Sequence, residues 1–64
     1  MILGVVKKWN NMKGWGFIVD ENGDDYFVHI SNVRSGHDLK LNSRVKFDIS
    51  EGDRGPEAEN VSLV

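Results

Sequence analysis

Apolar and polar residues alternate in short runs along this chain, the period of half-buried strands rather than of helices. Leu3, Val5, Lys7 and Trp9 alternate with Gly4, Val6, Lys8 and Asn10, which predicts a first strand. Asn10 to Gly14 has the composition of a turn. Trp15 to Val19, rich in aromatic and β-branched residues, predicts a second strand. Asn22-Gly23 predicts a type I′ hairpin, which needs positive φ at both central residues. Tyr26 to Ile30 follows as a third strand. Ser31 to Ser43 is mixed and polar with a break at Gly36, which predicts a long loop holding one short helical turn near Ser31-Asn32-Val33. Val45, Phe47 and Ile49 alternate with Lys46, Asp48 and Ser50 as a fourth strand. Gly52 to Pro56 is a turn, and Ala58 to Leu63 closes the chain as a fifth strand. No window carries an apolar stripe at helical spacing over about ten residues. The expectation is one all-β domain over residues 1–64, a small closed five-stranded barrel that leaves no strand edge open.

Alternation also sorts side chains between the two faces of each strand. Trp15, Phe17 and Val19 share one face, and Gly16, Ile18 and Asp20 the other. Phe27 and His29 share a face, opposite Tyr26, Val28 and Ile30. Pairing through the Asn22-Gly23 turn sets Phe17 beside Phe27. The interior then takes Ile18, Val28, Val6, Val45 or Phe47, and Val61. Trp15, Phe17, Phe27 and His29 are left together on a face that the core does not need. Trp9 fits either the rim of that face or the edge of the core. Gly14 and Gly16 permit a bulge or tight bend, or clear space for a base to approach the backbone.

Charge changes the picture only locally. Eight Lys+Arg against ten Asp+Glu give a formal net charge of −2, which is not the basic balance of a nucleic-acid binder. Six of the acids are Asp20, Glu21, Asp24, Asp25, Asp53 and Glu57, at predicted turns, whereas Lys7, Lys8 and Lys13 cluster beside the rings. The field of such a basic rim is short-ranged and readily screened. There is no cysteine, which excludes disulfides and thiolate metal sites and fits a reducing, cytoplasmic setting. No stretch has the length to span a bilayer, so no membrane partner is expected.

Exposed rings grouped on one face mark a binding surface, and flanking lysines indicate an anionic ligand. Flat rings beside cations suit unstacked bases, with stacking on the rings and phosphates on the lysines. The expected partners are single-stranded RNA and DNA, bound with little base preference. A small SH3-like barrel that binds a protein or peptide through the same patch is the alternative reading. An enzyme is not expected. His29 and His37 lack metal-ligand spacing, no nucleophile–base–orienter motif is present, and neither cofactor nor metal is called for.

The same residues resemble the bacterial cold-shock protein family, over essentially the whole chain. Lys13-Gly14-Trp15-Gly16-Phe17-Ile18 resembles that family's first ribonucleoprotein-type motif, and Asp25-Tyr26-Phe27-Val28-His29-Ile30-Ser31 its second. Gly52 to Pro56 with Ala58 and Asn60-Val61 resembles its ending. The resemblance implies a five-stranded antiparallel β-barrel of the OB type and an RNA-chaperone or antitermination role. It implies stacking by Trp9, Trp15, Phe17, Phe27 and His29, and phosphate or base-edge contacts by Lys7, Asn10, Lys13, Asp25 and Arg54. Pro56 is implied as a loop contact. The chain departs from the pattern in three places. Lys8 stands where a stacking tryptophan is usual, and Ile30 where a phenylalanine is usual. The long loop is about two residues shorter and lacks its aromatic, with His37 or Leu39 as the nearest substitute. The expectation is binding that is weaker and more salt-dependent than the family norm, by a monomer, with a strand-exchanged dimer through the long loop as the alternative.

Overall fold

The computed structural model describes all residues, 1–64. Five strands form where the alternation is strongest: β1 (Ile2–Asn10), β2 (Trp15–Asp20), β3 (Asp25–His29), β4 (Arg44–Gly52) and β5 (Gly55–Leu63). They close in the order β1-β2-β3-β5-β4. This is the OB-type barrel, and closure leaves no free edge. Four seams are antiparallel. The closing β3–β5 seam is a parallel bridge, Phe27 to Glu57, continued by a bridge from Val33 to Val61. Glu57 therefore sits on a strand and not in a turn. The helical turn is a 3-10 turn at Ile30–Asn32, one residue earlier than expected.

The interior holds Val6, Ile18, Tyr26, Val28, Leu39, Val45, Phe47, Ala58 and Val61. Every side chain expected inside is there, with Val45 and Phe47 both included because they lie two apart on one strand face. Leu39 is added from the long loop, 3% exposed. The loop can deliver it because its ends are tied to the barrel: the Arg34 N–H donates to the Val61 carbonyl and the Asn42 N–H to the Val6 carbonyl, both at 2.8 Å.

A β-bulge between Val6 and Lys8 sets the geometry of everything that follows. Val6 opposes Ile18, but Lys8 opposes Phe17 and Trp9 opposes Gly16. One extra residue, Lys7, reverses the alternation of β1 beyond it. Directly opposed side chains share a face. Lys8 thus comes out beside Phe17, and Trp9 turns inward, half-buried against the core. Gly16 is what lets it do so. A Cβ there would overlap the Lys8 carbonyl oxygen and the Trp9 ring.

The β2–β3 hairpin is built differently from the two-residue turn that Asn22-Gly23 suggested. Only Gly23 has positive φ, at 86°, and Asn22 does not. The Gly23 N–H donates to the Asp20 carbonyl at 3.1 Å, and the Asp20 N–H to that of Asp24 at 3.0 Å. This is a type I turn followed by a left-handed residue. The Asp20 carboxylate holds it, accepting from the N–H groups of Asn22 (2.9 Å) and Asp24 (3.0 Å) and from the Tyr26 hydroxyl (2.9 Å). Desolvation pushes the Asp20 carboxyl up, but the N–H of Asp24, the Tyr26 hydroxyl and the N–H groups of Asn22 and Gly23 outweigh it, leaving the group below its ordinary 3.8. The hydrogen bond to Asp20, then burial, then the charges of Asp20 and Asp24 hold the Tyr26 hydroxyl above its ordinary 10.0. Tyr26 serves the core by its ring, 5.2 Å from that of Phe47, and the turn by its oxygen.

Candidate nucleic-acid interface

The register of β2 against β3 pairs Trp15 with His29 and Phe17 with Phe27, all on the outer face. The three rings touch one another. Trp15 and Phe27 are stacked at 6.2 Å and 25°. Phe17 stands edge-on to both, 6.0 Å from Trp15 and 5.8 Å from Phe27. These spacings lie within the range of favourable aromatic pairs. All three rings are half-buried, and none belongs to the core.

Two cations lie over this surface. Lys8 Nζ is 5.1 Å from the Trp15 ring centroid, and Arg54 Cζ is 4.6 Å from that of Phe27. The bulge in β1 places the first, and the tight β4–β5 turn the second, where Gly52 opposes Gly55 and Pro56 opposes Glu51. Lys13 is exposed on the β1–β2 turn with no carboxylate partner. Lys7 differs. Its ammonium is 3.3 Å from both Asp25 oxygens, so the pair is internally neutral.

His29 closes the platform at the end of β3. Its Nδ1 accepts the Ser31 N–H at 3.1 Å, capping the 3-10 turn, and lies 2.9 Å from the Ser31 hydroxyl. In the neutral ring the proton therefore sits on Nε2, a free donor beside the rings. The Asn10 carbonyl oxygen Oδ1 accepts the Lys13 N–H at 3.0 Å and fixes the turn that aims Lys13.

The structure thus gathers Lys8, Trp15, Phe17, Phe27, His29 and Arg54, with Lys13 on the β1–β2 turn, Asn10 at the end of β1, Pro56 at the start of β5 and the Lys7–Asp25 pair at one end. It does not gather the rest. Trp9 lies against the core, for the reason given by the bulge. Ile30, 48% exposed, leaves the β3 face as the chain enters the 3-10 turn, and its N–H is tied to the Gly14 carbonyl at 2.8 Å. His37 lies away from the rings, its Nδ1 accepting the Leu63 N–H at 2.9 Å. Leu39 is in the core, so neither supplies the missing loop aromatic. The inversion of Lys8 and Trp9 had a visible signal. The doublets Val5-Val6 and Lys7-Lys8 break strict alternation where the bulge falls. No three His, Asp or Glu side chains are grouped to hold a metal ion.

The fold is a closed OB-type barrel with touching rings and cations on one sheet face. The model of the 'Cold-shock' DNA-binding domain matches residues 2–64. The chain belongs to this family of nucleic-acid-binding domains. It is 51% identical over 61 residues to the cold shock-like protein CspB of Bacillus cereus, covering 92% of this chain and 94% of that one. It is 48% identical over 60 residues to the cold shock protein CspD of Bacillus subtilis (strain 168), covering 91% of each. It is 44% identical over 64 residues to the major cold shock protein of Streptococcus pyogenes serotype M1, covering 97% of this chain and 96% of that one. Among solved structures, drosophila Unr CSD456 superposes with a TM-score of 0.79 at 18% identity, over 98% of this chain and 26% of that one. That likeness concerns the fold.

Proposed function

We propose that this protein binds single-stranded RNA and DNA with low sequence specificity and acts as an RNA chaperone or transcription antiterminator. Bases stack on Trp15, Phe17, Phe27 and His29. Lys8, Lys13 and Arg54 meet phosphates, while Asn10, Pro56 and the Lys7–Asp25 pair line the path. The observation that carries this reading is the set of three touching rings on the outer face with a cation over each of two of them. A stacked base can take the place of either cation, which then turns to a phosphate. Stacking is worth about 1–3 kcal/mol per base and tolerates any base. Holding unpaired strands draws weak hairpins open by mass action, which is what both roles require. We take the protein to work in the cytoplasm as a monomer.

Titration of tryptophan fluorescence with oligo-dT at low salt, beside a proline-rich peptide and a blunt DNA duplex, tests the reading. Quenching by oligo-dT alone supports it. Quenching by the peptide alone would replace it with the SH3-like alternative. For the finer role, excess protein should open a weak RNA hairpin and raise read-through of an intrinsic terminator, and Phe27→Ala should lose both effects.

A further inference from the structure

We infer that the barrel carries a second ligand site, a phosphate-binding hollow at the β4–β5 seam formed by Arg34, His37, Lys46 and Ser62. These side chains wall one cavity of about 480 Å³ in which no ring of the platform takes part. In the circular order β1-β2-β3-β5-β4, the β4–β5 seam lies across the barrel from β2. The hollow therefore faces away from the rings.

Its shape follows from an irregularity in the sheet. The β4–β5 register shifts between Lys46 and Asp48, and Asn60 takes a φ of 53°. Beyond the shift Lys46 directly opposes Ser62, so the ammonium and the hydroxyl share a face. Ser62 is only 5% exposed. Ser62 lines the hollow, and its hydroxyl makes no protein hydrogen bond and is not sealed from solvent. A hydroxyl that solvent reaches and no protein group engages is free to donate to a bound anion.

His37 adds a second oriented donor. The Leu63 N–H occupies its Nδ1 at 2.9 Å, which places the proton of the neutral ring on Nε2. Arg34 and Lys46 add two positive charges, neither of which is in an ion pair. Arg34 is anchored by its N–H to the Val61 carbonyl at 2.8 Å and by its own carbonyl to the His37 N–H at 3.1 Å. The one carboxylate on the wall, Asp48, is already engaged by Asn60 Nδ2 at 3.1 Å and by the Met1 amine at 3.9 Å. The hollow is thus lined by four donors, two of them cationic, beside a single carboxylate that already holds an amide and the Met1 amine. A tetrahedral, multiply accepting anion satisfies that set, and a planar guanidinium beside an ammonium suits phosphate. The ligand is a phosphate ester, either a terminal monoester or a backbone diester. A diester here belongs to a strand segment other than the one on the rings.

The site does not rest on the platform reading, because phosphate alone tests it. Backbone and imidazole ¹⁵N spectra are followed, in a phosphate-free buffer of constant ionic strength, with inorganic phosphate, uridine 5′-monophosphate and the dinucleotide TpT without terminal phosphates. The expected result is saturable shifts of the Ser62 and Leu63 amides and of His37 Nε2, at least tenfold weaker in the Arg34→Gln/Lys46→Gln variant. Ser62→Ala, which leaves the charge unchanged, should weaken binding several-fold. A response to TpT assigns the backbone diester, and a response to the monophosphates alone assigns the terminal ester. Absence of saturation with all three, or shifts unchanged in both variants, overturns the proposal.

Discussion

Lys8 is the residue that most separates this chain from the pattern it resembles, and its position yields a quantitative expectation. It stands over the face of Trp15, 5.1 Å from the ring centroid, the place that the proposed stacking gives to a base. A base on Trp15 therefore displaces the ammonium, forfeiting an exposed cation–π contact of about 0.5–1 kcal/mol. The displaced lysine then meets a phosphate and releases about 0.7 counterion. Lys7 is held by Asp25, so three cations remain on this face to engage phosphates: Lys8, Lys13 and Arg54. Three at about 0.7 each give a log–log salt slope near −2 for the natural protein and about −1.4 for Lys8→Ala. Between 50 mM and 1 M salt the difference amounts to about eightfold. Removing the cation from Trp15 strengthens stacking about two- to fivefold at 1 M, where counterion release no longer contributes, and leaves binding about 1.5- to 3.5-fold weaker at 50 mM. The two affinity curves must cross. Fluorescence titration with oligo-dT across this salt range measures both. Parallel curves would refute the argument, as would a slope near −2.8 that Lys7→Ala reduced, since that would count Lys7 as a free cation.

Phe27→Ala should weaken oligonucleotide binding by about 1–3 kcal/mol while lowering stability by about 1–3 kcal/mol, the value of its two lost aromatic pairs. Phe47→Ala should instead lose about 3–5 kcal/mol of stability, and urea melts showing equal losses would mean that the sheet is inside out. Gly16→Ala should destabilise by about 3 kcal/mol, because its methyl group meets β1 backbone; a loss well under 1 kcal/mol in the same melts would remove the close β1–β2 approach. Asp20 is depressed, so its contribution to stability is present above its ordinary 3.8 and fades as pH falls through its lower folded value. Tyr26 is raised, so its contribution is present below 10.0 and fades as pH rises through its higher folded value. Tyr26→Phe should therefore lower Tm at neutral pH, abolish the alkaline decline that Tyr26 causes and soften the acid one; an unchanged Tm across pH would show that the hydroxyl does not hold the turn.

Much of this was legible in the sequence, for local physical reasons. Period-2 alternation locates all five strands, and the pairing of Phe17 with Phe27 follows once the hairpin is placed. What failed to show was non-local or involved a single inserted residue. The bulge at Lys7 exchanges the faces of Lys8 and Trp9, so strict alternation sends Trp9 outward when it packs inward. Leu39 reaches the core only because the loop ends are tied to Val6 and Val61, contacts far apart in sequence. His37 faces β5 because it accepts the Leu63 N–H, which no neighbour in sequence foretells. The hairpin type turned on the Asp20 carboxylate, which favours a type I turn with one left-handed residue over two.

The central claim is that the outer face of β2 and β3 receives bases. It is tested most directly by the ring-proton spectrum of Trp15, Phe17, Phe27 and His29 during titration with a short pyrimidine strand at low salt. Stacking predicts upfield ring-current shifts of these four residues together, saturating at one stoichiometry, with Phe47 and Trp9 unmoved or nearly so. Shifts confined to other surfaces, or none on these rings at saturating strand, would contradict the account.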